Sequence, residues 1–190
     1  MSKNKAYANL LPRLSAQVID ACLLNLLNIA GLYWMANASS IPELVARLVM
    51  SIALIFIPTW ILTVAYYVKL LSDRGKTIGK ELLGLEVVDK KGKFLNWKWA
   101  FFREFPAKAV SWFFFGLGFW WVIKDKQRRA WHDLLTGSYV KHQHQHQLST
   151  GLVVALVLLG LNLFGYFLIF KIVTGNQALI GDFQQLLSRF

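Results

Sequence analysis

The stretch LLPRLSAQVIDACLLNLLNIAGLYWM, residues 10–35, decides how this 190-residue chain is read. As a helix it is long enough to cross a bilayer, which takes about 20 apolar residues. Yet it carries Asp20 well inside it. A carboxylate at mid-helix costs about 2.5–3.5 kcal/mol on insertion scales, which makes an intramembrane ionisable residue a candidate site. At about 100° per residue, Arg13, Gln17, Asp20, Leu24, Asn28 and Gly31 fall on one stripe. Pro12 suits the first helical turn, where its missing N–H costs nothing. Two readings of the stripe stand side by side: a polar packing seam satisfied by neighbouring helices, or the lining of a ligand or ion path. Arg13 precedes Asp20 by seven residues. The helical rise separates the two by roughly 10 Å along the axis, too far for direct pairing.

Working outward, 56% of residues are hydrophobic and the mean hydropathy is +0.43. Soluble domains carry roughly 45–50% apolar residues. The surplus here is segmental, in blocks at 10–35, 44–71 and 151–173. Most of the eight Trp residues lie near block ends, at the level of lipid headgroups. The pattern predicts an all-α polytopic membrane protein: a helical hairpin, a re-entrant or third segment, a C-terminal transmembrane helix and a small cytoplasmic β element. The formal charge of +11 would suit nucleic acid in a soluble chain. Its basic residues lie beside apolar segments, which points to a bilayer with anionic headgroups instead. Nucleic-acid modules are missing, so no nucleic-acid partner is expected. Cys22 is the single cysteine, excluding an intrachain disulfide and a cysteine-based zinc site.

The connection between the first two spans carries only Glu43 and Arg47, whereas residues 69–108 hold ten basic and five acidic residues. With Lys3, Lys5 and Arg13, this bias places the N-terminus and the 72–104 segment in the cytoplasm of a cell-membrane protein. The second span shows a loose polar stripe of Ser51, Pro58, Thr59, Thr63 and Tyr66, positioned to hydrogen-bond to the Asp20 stripe. Pro58 predicts a kink. Downstream, residues 82–89 read as a short amphipathic piece entering a strand. Residues 89–93 have turn chemistry, and residues 94–97 read as a returning strand. Gly75-Lys-Thr77 resembles the end of a phosphate-binding loop, but Leu70 occupies the place of its first glycine, so nucleotide binding is rejected.

Residues 105–123 are ambiguous. Their length just suffices to span, but Lys124, Lys126, Arg128 and Arg129 follow, and Phe115-Gly-Leu-Gly118 is suited to a turn. Re-entry is the favoured reading, because spanning would put that basic cluster outside. Residues 128–140 read as a short helix, a glycine stop at Gly137 and a strand. In the linker 142–150, His142, His144 and His146 are weak metal candidates, with no fourth ligand indicated. Gly160, Asn162, Gly165 and Tyr166 are the expected packing points of the last span, and residues 174–190 form a tail with amphipathic helical character.

Three motifs together resemble the RDD family of membrane proteins, over roughly residues 10–141. The first is Leu11-Pro-Arg-Leu-Ser-Ala-Gln-Val-Ile-Asp20. The second runs from Gly75-Lys-Thr77 to Asp89 and Gly92, and the third is Arg128-Arg-Ala-Trp-His-Asp133 with Leu135-Thr-Gly137. The resemblance implies that the family's arginine is Arg13 and its aspartates are Asp20 and Asp133. It implies transport of unidentified ligands, with sodium/proton exchange in some members. Arg13 and Asp133 meet only if 105–123 returns to its starting side, so a pair between them and re-entry stand or fall together. Such pairing leaves Asp20 without a basic partner, suited to taking up a proton or a cation. The expected function is therefore transport of a cation or proton around Asp20, with Arg13, Asp133, Gln17 and Asn28 in the site, no cofactor and a homo-oligomer. The alternative is a non-catalytic scaffold or assembly factor in which the Arg/Asp set is structural. An enzyme is not expected, since His132-Asp133 has no nucleophile, metal cluster or cofactor loop beside it.

Overall fold

A computed structural model describes residues 7–143 and 148–189 of the chain. His144 and His146 lie outside the described residues, among which no group of potential metal ligands forms. The elements run α1 (Leu10–Ala36), α2 (Ile41–Arg74), α3 (Ile78–Leu82), β1 (Leu85–Val88), α4 (Trp97–Phe113) and α5 (Leu117–Lys124). They continue with α6 (Trp131–Thr136), β2 (Tyr139–His142), α7 (Leu148–Gly175) and α8 (Gln177–Leu187). Three of these helices, α1, α2 and α7, are long and apolar enough to cross a membrane. The protein is an all-α polytopic membrane protein with one small antiparallel sheet.

Two compact units make up the chain: residues 1–21 with 63–156, and residues 22–62 with 157–190. In the first, β1 pairs with β2 in the register Leu85–His142 through Val88–Tyr139, and Tyr7 bridges to Lys141. Leu85, Val87, Val88 and Val140 are buried there. In the second unit, Asn25 donates to Asn162 Oδ1 at 2.9 Å and to the Tyr166 hydroxyl at 2.7 Å. Gly165 lets Ile29 approach, since a Cβ there would lie 3.0 Å from Ile29 Cγ2, whereas Gly160 faces open space.

One local expectation changes. Residues 94–97 are no returning strand: β1 pairs with β2, and Asn96 starts a helix by accepting the Trp99 N–H at 2.9 Å. Pro58 lies inside α2, which continues through it. A π turn over Ile52–Phe56 widens the backbone where the proline ring would meet the carbonyl four residues earlier.

The stretch 105–123 is not one straight helix. The axes of α4 and α5 meet at 92° across Phe114-Phe115-Gly116. Gly116 takes φ +77° and Phe115 φ +52°, both left-handed. Gly118 then lies so close to α4 that a Cβ would stand 2.6 Å from Ser111 Cα.

Candidate functional site

Within the first unit, the polar stripe of α1 is taken up one residue at a time. Arg13 lies lowest. Its Nη1 donates to Asp133 Oδ2 at 2.5 Å, its Nη2 to the Arg128 carbonyl and its Nε to the Ala8 carbonyl at 3.2 Å. Arg128 is left-handed at φ +53°, which helps aim its carbonyl inward. The anticipated Arg13–Asp133 pair is thus present, and the 105–123 stretch is bent.

Asp133 is wholly buried, and its place in α6 is set locally. As the third helical residue it turns back to accept the Ala130 N–H at 3.1 Å, a cap on the helix it belongs to. Its other oxygen accepts from Arg103 Nη2 at 2.7 Å and Nε at 3.2 Å, and from Ser138 Oγ at 3.3 Å. Burial alone would raise this carboxyl, but the charges of Arg13 and Arg103 prevail and hold it well below the usual carboxylate range.

From Arg103 the charges continue. Glu104 pairs with Arg103, and Lys108 pairs with Glu104. Arg13, Asp133, Arg103, Glu104 and Lys108 therefore alternate in sign along one chain. Lys108 Nζ returns it to α1 by donating to Gln17 Oε1 at 2.7 Å, and Gln17 Nε2 donates to the Tyr67 hydroxyl at 3.1 Å. Arg103 and Glu104 occupy a π turn, Arg103–Ala107, that also absorbs Pro106. Such turns place side chains out of ordinary helical register and recur at functional sites.

Asp20, one turn further on, is also wholly buried and is met by neutral donors. The Tyr66 hydroxyl reaches Oδ1 at 2.6 Å, the Gly79 N–H reaches Oδ1 at 2.7 Å and the Thr77 hydroxyl reaches Oδ2 at 2.6 Å. Gly79 is required by this docking. A Cβ on it would stand 2.1 Å from the Ala16 carbonyl oxygen.

Lys80 follows at once and is only 7% exposed. Its Nζ lies 3.5 Å from Thr77 Oγ1 and 5.9 Å from the centre of the Tyr67 ring, and it forms no ion pair with a carboxylate among the described residues. Burial pushes this amine down to about 8, against the longer-range pull of Glu104. His132 contacts Ser111 Oγ through Nδ1 at 3.2 Å and packs on Phe119. Burial pushes its imidazole down to about 3 despite Asp133 beside it.

Of the five expected site residues, Arg13, Gln17, Asp20 and Asp133 come together in this unit, whereas Asn28 belongs to the other. Arg103, Glu104, Lys108, Lys80 and Thr77 were not foreseen as site residues, whereas Tyr66 lies on the α2 stripe expected to hydrogen-bond to the Asp20 stripe. The spacing of Glu104 and Lys108, four apart in an aromatic segment, was the available signal. The family model described as RDD family matches residues 7–137. No curated protein and no solved structure matches the chain.

Proposed function

The chain belongs to the RDD family, and from that premise we propose that this domain is a non-catalytic membrane scaffold in which the Arg/Asp set is structural. What supports the reading is the hydrogen bonding of Asp20. Its two oxygens fill three of about four acceptor sites with donors from fixed groups on α2 and the start of α3. An ion or a mobile proton would compete with those donors. The same carboxylate fastens residues 77–79 to α1, while Asp133 fastens α4 and α6 to it. The set reads as a two-point clamp between membrane helix and polar layer.

Topology follows from the same pairing. The strands β1 and β2 precede and follow the bent α4–α5 pair, and a bilayer cannot lie between two hydrogen-bonded strands. This supports re-entry of 97–124, with the N-terminus and the basic 69–108 region on the cytoplasmic side against anionic headgroups. A protein of this kind presents that basic, aromatic face to its partners.

Transport of a cation or proton through Asp20 is the second reading. It is favoured by one observation: Asp20 has hydroxyl neighbours but no ion-pair partner among the described residues. A homo-oligomer would then complete the path. Replacement of Asp20 by Asn separates the two. On the scaffold reading, Asp20→Asn destabilises the purified protein by about 1.5–3 kcal/mol, the range for hydrogen bonds to a charged group. Wild-type protein in liposomes then carries no sodium or proton flux above protein-free liposomes. Flux abolished by Asp20→Asn in a variant that melts like the wild type overturns the scaffold reading in favour of transport.

A further inference from the structure

Beside the clamp lies a cavity of about 380 Å³ that neither reading of Asp20 uses. Its volume falls within the range of ligand pockets, about 300–1,000 Å³. Four cations line it, Arg13, Lys80, Arg103 and Lys108, and no carboxylate does. The acids that answer these cations lie behind them. Asp133 and Glu104 are spread among three of the four, so the alternating chain begins and ends on a positive charge. Lys80 adds another with no ion-pair partner among the described residues. A buried amine in this state is costly unless an anion joins it.

Apolar side chains make up most of the remaining lining. Trp112, Phe115 and Trp120 belong to the bent α4–α5 segment and line the same cavity, with 68%, 99% and 58% of their surfaces exposed. Exposed aromatic rings beside a cationic floor match an amphiphile, with a charged head among Lys80 and Lys108 and hydrocarbon across the rings. A small soluble anion would leave that aromatic rim without an occupant.

We propose that this cavity is a discrete binding site for one anionic phospholipid, its phosphate held by Lys80 and Lys108 and its chains leaving over Trp112 and Phe115. The site goes beyond general attraction to a negative surface, and it is independent of whether Asp20 moves ions. Lys80 is the discriminating residue, since it makes no direct ion pair among the described residues and Glu104, which feels its charge at longer range, keeps Arg103 and Lys108 without it. Lys80→Met therefore keeps the fold, with a melting temperature at or above that of the wild type.

The test is native mass spectrometry of the full chain released from nanodiscs of equal phosphatidylglycerol and phosphatidylcholine. Wild-type protein should retain one phosphatidylglycerol per chain, and Lys80→Met at least fivefold less. Trp112→Ala, which removes an aromatic wall packed on Phe119 and leaves every cation in place, should lower retention threefold or more and tests the site independently of Lys80. Equal retention of the two lipids by the wild type overturns the proposal. So does unchanged retention in both variants. Loss of the bound lipid on adding millimolar inorganic phosphate at constant ionic strength assigns the cationic floor to a free anion, and likewise overturns it.

Discussion

Asp20 and Asp133 are both fully buried, yet they are satisfied by opposite means. Asp20 takes neutral hydroxyl and amide donors, and Asp133 takes two guanidinium groups. The first arrangement offsets the desolvation of a lone carboxylate with three hydrogen bonds and must also order the 77–79 segment. The second needs two desolvated cations, and is strong only because Glu104 and Lys108 continue the alternation. His132 exposes a different dependence. Its folded pKa of about 3 lies below the ordinary value of 6.5, so the unfolded chain binds the extra proton between them. Stability is full above pH 6.5 and falls as pH drops, by about 1.4 kcal/mol per unit once the unfolded imidazole is charged. Asp133 adds a slope of the same sign only below about pH 5, where the unfolded carboxyl begins to protonate while the folded one stays charged. Thermal melts from pH 7 to 5 should show the imidazole's slope, and His132→Gln should flatten it. At this scale the acids were legible, as were Arg13 for Asp133 and the Tyr66 stripe for Asp20, and their other partners were not. A charge inside an apolar run announces itself, whereas Thr77 and Gly79, 57 and 59 residues from Asp20, carry no such mark. Arg103 and Glu104 were hidden by adjacency, since opposite neighbours in an aromatic stretch look like an interfacial segment.

At the scale of elements, the bent α4–α5 pair is set by backbone rather than by hydrophobic pattern. Gly116 supplies the left-handed turn, and Gly118 lets α5 lie against Ser111. Gly118→Ala forces its new Cβ onto Ser111, whose hydroxyl meets His132. It should cost about 1–3 kcal/mol, as overpacking does, while Gly160→Ala, which faces open space, should cost nothing measurable. Melting temperatures of the two variants check this. The turn was legible from Phe115-Gly-Leu-Gly118, as were the stop at Gly137 (φ +62°) and the strand after it. The π turns were not, because a one-residue widening leaves the apolar periodicity almost unchanged. The strand expected at 94–97 also failed. A returning strand was expected there after the 89–93 turn, but Asn96 caps a helix and β1 pairs with 139–142 instead.

For the molecule as a whole, pairing of β1 with β2 binds segments from either side of the bent pair into one layer. Single cysteines at Lys91, Lys126 and Gln143, in a chain whose Cys22 is replaced by Ala, should therefore label from the same face of the membrane. Labelling of Lys91 and Lys126 from opposite faces would mean that 97–124 crosses. The clamp has a second consequence, in time rather than in space. Arg13 pairs with a residue 120 positions later in the chain. At about 5–20 residues per second, synthesis of that length takes roughly 6–24 s. During this interval the first helix is already made, with its guanidinium unanswered throughout and its carboxylate unanswered until Tyr66, Thr77 and Gly79 follow. Whatever inserts this protein must shelter a polar helix face until α6 emerges. Its biogenesis is a wait, ended by the arrival of Asp133.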